Sequence, residues 1–352
     1  MKNKYNNICV GILTVLLIAT VIFVAVFLTV HLNSDNKIKG GPKILIDHDG
    51  GADDAMAIFI ALLYEQYFDG PAVVALTTTF GNVNETQSFI NSQRILNIIN
   101  RIDVPIYRGS IHPLISGIQS DYYFGNDGLG DIEHEYFTEI NSQREHAVSA
   151  LIELSKLYEG DLTVVAIGSM TNIALAIKVD PGFIGRLSHL YVGAGNVYSE
   201  NETEAEFNAA MDPESYYIIT DNPDPEKVTV VPFSEILTSL ATSMEWREKV
   251  LGAIPTKTIQ ILNRYETIAL EQSTYWAMLD PAVMAIALNS SLVEEIKYSN
   301  NSIVLCGKDR GINTNEYHTT SVNGTIQLVY SSNKEVYQAF LVDVFSAELN
   351  TR

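Results

Sequence analysis

Short apolar runs recur at Ile44–Ile46, Ala72–Leu76, Leu162–Ile167, Leu190–Val192 and Val228–Val231, each closed by polar or glycine-rich residues. Runs of this length without alternation suit strands covered on both faces. Helical patterns lie among them at Ala55–Leu63, Glu85–Asn100, His146–Tyr158 and Thr171–Val179. Strand and helix in alternation predict an α/β fold with a parallel sheet. The stretch Trp246–Leu288 reads mostly as helix, and Thr325–Tyr330 followed by Lys334–Leu349 reads as a late strand and a closing helix.

One apolar run is of another kind. Cys9–Val30 continues for 22 residues, enough at about 1.5 Å per residue to cross a hydrocarbon layer of about 30 Å. Lys2 and Lys4 in front of it favour a cytoplasmic N-terminus of residues 1–8. The segment 9–30 therefore predicts a transmembrane signal-anchor. A cleaved signal peptide is the competing reading, although no small-x-small site stands out in Val30–Asn36. Residues 31–42 form a polar stalk ending in Gly40-Gly41-Pro42, and the folded domain is expected over 43–352. Either reading places the protein at a membrane, with the folded part extracellular or lumenal, or secretes it. Asn-x-Ser/Thr triplets at Asn84, Asn201, Asn289, Asn300 and Asn323 fit that route, though such triplets also arise by chance.

Charge narrows the partners. The formal charge is −20, and residues 1–40 hold Lys2, Lys4, Lys37 and Lys39 against Asp35, so the acidity belongs to the rest of the chain. Nucleic acid is excluded as a natural partner of such a surface. The cysteines are Cys9 and Cys306, one of them within the apolar run, so the fold requires no disulfide.

Asp47-His-Asp49-Gly-Gly-Ala-Asp53-Asp54 sets four carboxylates where the first strand run stops and a helical pattern begins. Acids so close repel one another unless protons or a cation neutralise them, and Gly50 and Gly51 permit a tight turn. A bound hard cation is the economical reading. Three further polar segments follow strand runs: Thr77–Asn82, Gly168–Asn172, and the stretch from Gly193 through Glu206 and Asn208 to Pro213. A sheet brings all four to one rim, where α/β folds bind ligands. Taken singly, each is also ordinary turn and cap chemistry.

Together these segments resemble the inosine-uridine preferring nucleoside hydrolases over nearly all of 43–349. The most specific match is Asp47-His-Asp49-Gly-Gly-Ala-Asp53-Asp54-Ala55, similar to the family's Asp-x-Asp-Pro-Gly-x-Asp-Asp-Ala opening with Gly50 in place of proline. Thr78-Thr79-Phe80-Gly81-Asn82, Val104-Pro105-Ile106, Gly168–Leu175, Ala205–Asn208 with Asp212-Pro213-Glu214, and Leu279-Asp280-Pro281 follow in the family's order. The resemblance implies a single-domain fold with a mostly parallel, Rossmann-like sheet flanked by helices. It also implies hydrolysis of the N-glycosidic bond of ribonucleosides to ribose and free base, and often a homodimer or homotetramer. It implies a calcium ion held by Asp49, Asp54, Asp280 and the main-chain carbonyl of Ile167. Contacts to the substrate would come from Asp53, Asn82, Asn201, Glu206, Asn208 and Asp280.

Oxygen-only ligation is what calcium prefers. Cleavage builds positive charge on the sugar, which an acidic site stabilises, and Asp49 is the expected base toward water. Leu279 departs from the pattern, because much of the family has a proton-donating histidine there. Purine-preferring relatives without it rely on aromatic stacking, so purines are the expected substrates. Tyr123, Phe124 and Trp276 are the stacking candidates, beside Tyr122 and Tyr275, although aromatics near a helix more often pack in a core. His48, on a strand between two acids, should face away from them and be packed or hydrogen-bonded.

Two other readings compete. Asp47-His-Asp49-Gly50 after a strand also suits a haloacid-dehalogenase-like phosphatase, but Asp53 and Asp54 follow too closely for that family's distant acidic pair. A membrane-tethered, catalytically weak or inactive nucleoside-binding homologue is the other alternative. Retention of Asp49 argues against it.

Overall fold

The computed structural model describes residues 41–134, 137–197, 204–221 and 224–350. Pro42–Arg352 forms one compact unit. Its frame is a nine-stranded sheet with β1 Lys43–His48, β2 Ala72–Thr78, β3 Ile106–Tyr107, β4 Leu162–Ala166, β5 His189–Gly193, β6 Val228–Val231, β9 Val293–Ile303, β10 Asn313–His318 and β11 Ile326–Ser332. Two further short strands, β7 Thr242–Ser243 and β8 Tyr275–Trp276, pair antiparallel on their own.

The order across the sheet is β10-β9-β11-β6-β5-β4-β1-β2-β3. All neighbours are parallel except β9, which runs antiparallel to both β10 and β11. Alternation along each strand divides the interior. Ile44, Ile46, Val165 and Ile167 face a core shared with the helices Ala52–Tyr67, Leu279–Leu288 and Lys334–Ser346. Leu45, Val164 and Ala166 face the opposite core, against Ala147–Leu157, Thr171–Val179 and Pro213–Thr220. The result is an α/β/α sandwich, as the alternation of elements predicts.

Strand order fixes where a ligand goes. From β1 the chain builds outward through β2 and β3, then returns to the other side of β1 with β4, β5 and β6. The crevice beyond the carboxyl ends of β1 and β4 is thus the switch point of the sheet, the place where such folds bind ligands.

The sequence expectation of a membrane-bound or secreted protein is corrected here. Among the described residues no helix is long and apolar enough to cross a membrane. The segments 1–8 and 9–30, on which that expectation rested, lie outside the described residues, as does most of the 31–42 stalk. Of the triplets read as glycan acceptors, Asn84 and Asn289 act as helix caps, accepting from Gln87 N and Ser291 N.

Candidate active site

Two helices carry the acids. Ala52–Tyr67 and Leu279–Leu288 are apolar on nearly every face, so both are buried, and they pack in the same core. Asp53 and Asp54 occupy the first turn of one, and Asp280 the first turn of the other. Their amino-terminal partial charges favour acids at that place. Carboxylate oxygens of Asp53, Asp54 and Asp280 come within 4.8 Å of one another, an arrangement fit to hold a metal ion.

Asp49 follows β1 directly, beside them. Its Oδ2 accepts from Asn82 N at 2.9 Å, and its own N–H donates to Asp54 Oδ1 at 3.1 Å. Glycines make room for it: a Cβ on Gly81 would stand 1.7 Å from Asp49 Oδ2, and one on Gly168 would stand 2.9 Å from Asp49 Cβ. Gly50 has φ +85°. Proline, held near −65°, cannot adopt that angle, which gives a local reason for the departure from the family's motif.

The electrostatics are those of a crowded buried anion. Burial, then mutual repulsion, pushes Asp54 and Asp280 well above the usual carboxylate range, and Asp49 and Asp53 shift the same way. Beneath them Asp47 is raised by burial to about 7, although Thr77 Oγ1 and Asn172 Nδ2 donate to its Oδ1 at 2.5 and 2.8 Å. No Lys or Arg among the described residues pairs with this group. His48 is no substitute, because burial lowers it to about 3 and its Nε2 lies 2.9 Å from Ser92 Oγ. The donor set is therefore all oxygen and short of positive charge, which fits a hard divalent cation.

Two of these acids, Asp53 and Asp280, border a cavity of about 510 Å³, whose lining does not include Asp49 or Asp54. Asp53, Asn82, Ile167, Glu206, Asn208 and Asp280 all line it. Glu206 caps the helix Phe207–Met211 and accepts from the backbone of Gly195, Asn208 and Ala209, while burial lifts its carboxyl to about 7. Asn208 Nδ2 donates to the carbonyls of Ile167 and Gly193 at 3.2 and 3.0 Å. The carbonyl expected to face a metal thus points to the same place as the ribose candidates.

The remaining wall mixes polar residues with an aromatic and apolar part. Tyr123 and Phe124 line it with rings in edge contact, and Tyr123 Oη lies 2.8 Å from Ser273 Oγ. Leu279 is present there and histidine is not. Trp276, expected to stack on a base, is instead buried: its Nε1 donates to Glu266 Oε2 at 2.8 Å and its ring meets Trp246. β8 alternates in direction, so Tyr275 turns toward the cavity and Trp276 away from it. Asn201 lies outside the described residues.

Asn196, Asp121, Phe233 and Gln272 also line the cavity and escaped the sequence reading. Asn196 had a signal, since it follows β5 directly after Gly193-Ala194-Gly195. The others stand on loops and helix ends whose approach depends on the whole fold.

Comparison with known proteins agrees with this geometry. The sequence profile of the inosine-uridine preferring nucleoside hydrolases matches residues 44–343. An inosine-uridine preferring nucleoside hydrolase of Leishmania major is 29% identical over 261 residues, covering 71% of this chain and 80% of that protein. A probable uridine nucleosidase 2 of Arabidopsis thaliana is 35% identical over 184 residues, covering 50% and 55%. The solved purine-preferring ribonucleoside hydrolase from Gardnerella vaginalis has the same fold, with a TM-score of 0.76 at 24% identity over 87% of this chain and 99% of that one. The family profile, on an α/β/α sandwich with an acidic cleft at its switch point, defines a hydrolase of N-glycosidic bonds. The chain belongs to the inosine-uridine preferring nucleoside hydrolase family and is an N-ribohydrolase acting on nucleosides.

Proposed function

We propose that this chain is a calcium-dependent ribonucleoside hydrolase that prefers purine nucleosides. The observation that carries the preference is the composition of the cavity wall. Tyr123, Phe124 and Tyr275 supply aromatic surface, and Leu279 stands where a proton donor to the leaving base would stand. A purine offers a larger π-face and a ring nitrogen that solvent can protonate, so stacking serves it better than a pyrimidine.

Asp54 and Asp280, gathered with Asp53, would hold the cation, and the family resemblance adds Asp49 and the Ile167 carbonyl to them. A calcium ion bound by these residues would neutralise the acids and make a neighbouring water more acidic. Asp49 takes a proton from the attacking water, with the Asn82 N–H fixing one of its carboxylate oxygens. Asp53, Asn82, Glu206 and Asn208 orient the ribose hydroxyls, with Asn196 added by its position on the wall. Positive charge developing at C1′ is stabilised by carboxylates already in place. Water attacks the face of C1′ opposite the departing base.

The test is ribose release from inosine, adenosine, guanosine and uridine, before and after treatment with a chelator. The expected outcome is kcat/KM for a purine about tenfold or more above uridine, loss of activity on chelation, and recovery with calcium. Uridine is the comparison that counts, because the Arabidopsis thaliana relative is described as a uridine nucleosidase. A faster rate on uridine defeats the preference, and activity indifferent to chelation defeats the metal assignment. Sedimentation of the pure protein distinguishes monomer from the dimer or tetramer expected of the family.

A further inference from the structure

A second cavity, of about 300 Å³, lies between the helices Glu85–Ile98 and Lys257–Tyr265 and the segment around His134, and shares no lining residue with the first. Among the described residues its lining is more basic than acidic. Arg94, Lys257 and Arg264 line it with His134, against Glu133 on the described wall and Asp127 behind it, whose carboxylate lies 2.6 Å from His134 Nε2 and 3.4 Å from Arg94 Nη1. In a chain of formal charge −20 this is a local inversion. A screening length of about 8 Å at physiological salt lets the nearby cations dominate what an incoming ion meets.

These cations are only partly engaged. Lys257 Nζ donates to the Ile98 carbonyl at 2.8 Å, and Arg264 Nη2 to the Glu133 carbonyl at 3.0 Å. Neither forms an ion pair with a described residue. Arg94 Nη1 reaches Asn91 Oδ1 at 3.1 Å and Asp127 Oδ2 at 3.4 Å. Its Nε is buried without a hydrogen-bond partner among the described residues. Phe137 and Tyr265 add aromatic wall beside the charges.

We propose that this cavity binds a small organic anion, a phosphate or carboxylate head set among Arg94, Lys257 and Arg264 with its apolar or aromatic body against Phe137 and Tyr265. The volume sits at the small end of ligand pockets, about 300–1,000 Å³, so the ligand is compact. Asn91, which accepts from Arg94, donates through Nδ2 to the carbonyls of Gly50 and Asp127, both at 2.7 Å. The second site is therefore joined by side-chain hydrogen bonds to the turn that carries Asp49.

Calorimetric titration of the full chain with phenyl phosphate tests this, with inorganic phosphate and phenol as partial probes. Saturable binding of phenyl phosphate is expected, about tenfold tighter than either part alone. Lys257→Ala combined with Arg264→Ala is expected to weaken it by about tenfold or more, with melting temperature and ribose release from inosine unchanged in the absence of the probe. No saturable binding by the parent, or equal binding by the double variant, overturns the proposal. Inorganic phosphate binding as tightly as phenyl phosphate overturns the organic part of it.

Discussion

Asp49 shows how one residue draws its chemistry from its surroundings. It has no cationic partner among the described residues, it is buried, and Asn82 N–H fixes one of its oxygens. Asp49→Asn keeps the shape and removes the base, so kcat is expected to fall by about 10²–10⁴ while the melting temperature holds. Steady-state kinetics with a melting curve decide this, and a near-parental rate would remove Asp49 from its assigned role. Leu279 gives the opposite kind of test. Its side chain already lines the cavity, so Leu279→His places a proton donor at the base, and kcat/KM for uridine is expected to rise relative to inosine. An unchanged ratio would show that position 279 does not face the leaving group. At this scale the acids were legible, because four within eight residues have few other uses. Trp276 was not, since its neighbour Tyr275 looks equally aromatic and only the direction of β8 sends one to the cavity and the other to the core.

At the scale of elements, the wall bearing Tyr275 depends on a buried ion pair. Arg247 projects from a π-helical turn, Arg247–Leu251, and donates from Nε and Nη2 to Glu266 at 3.1 and 2.7 Å, while Glu266 also receives Trp276 Nε1. Removing the arginine strands a buried carboxylate. Arg247→Leu is expected to cost about 3–5 kcal/mol in urea denaturation, and addition of Glu266→Leu should recover much of it. A single variant as stable as the parent would mean the pair contributes nothing. The region Trp246–Leu288 reads as helix in the sequence and largely is, but Gly252–Thr256 and the two-residue strand β8 interrupt it. β1, β2, β4, β5 and β6 were legible from apolar runs, because helices cover them on both sides. β9 and β10 were not. Glu294, Glu295, Asn300 and Asn301 in one and Asn313, Asn315 and Glu316 in the other are polar residues tolerated near a sheet edge, and they leave no continuous apolar signature.

For the molecule as a whole, the raised carboxyls link proton binding to stability. A carboxyl held above its unfolded value binds its proton more tightly in the folded state. Its contribution is fully present below the unfolded value, near 4, and is lost as pH rises through the folded one. With Asp47 and Glu206 at about 7, and the Asp53, Asp54 and Asp280 group raised as well, stability without metal is expected to fall from pH 4 to pH 8. Calcium should flatten that decline, since it replaces the protons that hold the acids together. Calorimetric melting at pH 5 and pH 8, with chelator or with calcium, checks this. An equal calcium effect at both pH values would mean that metal and protons do not compete for the same oxygens.

Asn313 Oδ1 accepts from the backbone N–H of Asn196 at 3.1 Å, so the first residue of β10 braces the cavity wall that follows β5. A ribosome making this chain releases every acid of the site before it releases that brace. A polypeptide cut short between Asp280 and Asn313 would carry all the reactive carboxylates with one side of their enclosure unsupported. Gathering the acids is thus separate from enclosing them, and the second depends on a strand that follows Asp280 in the chain.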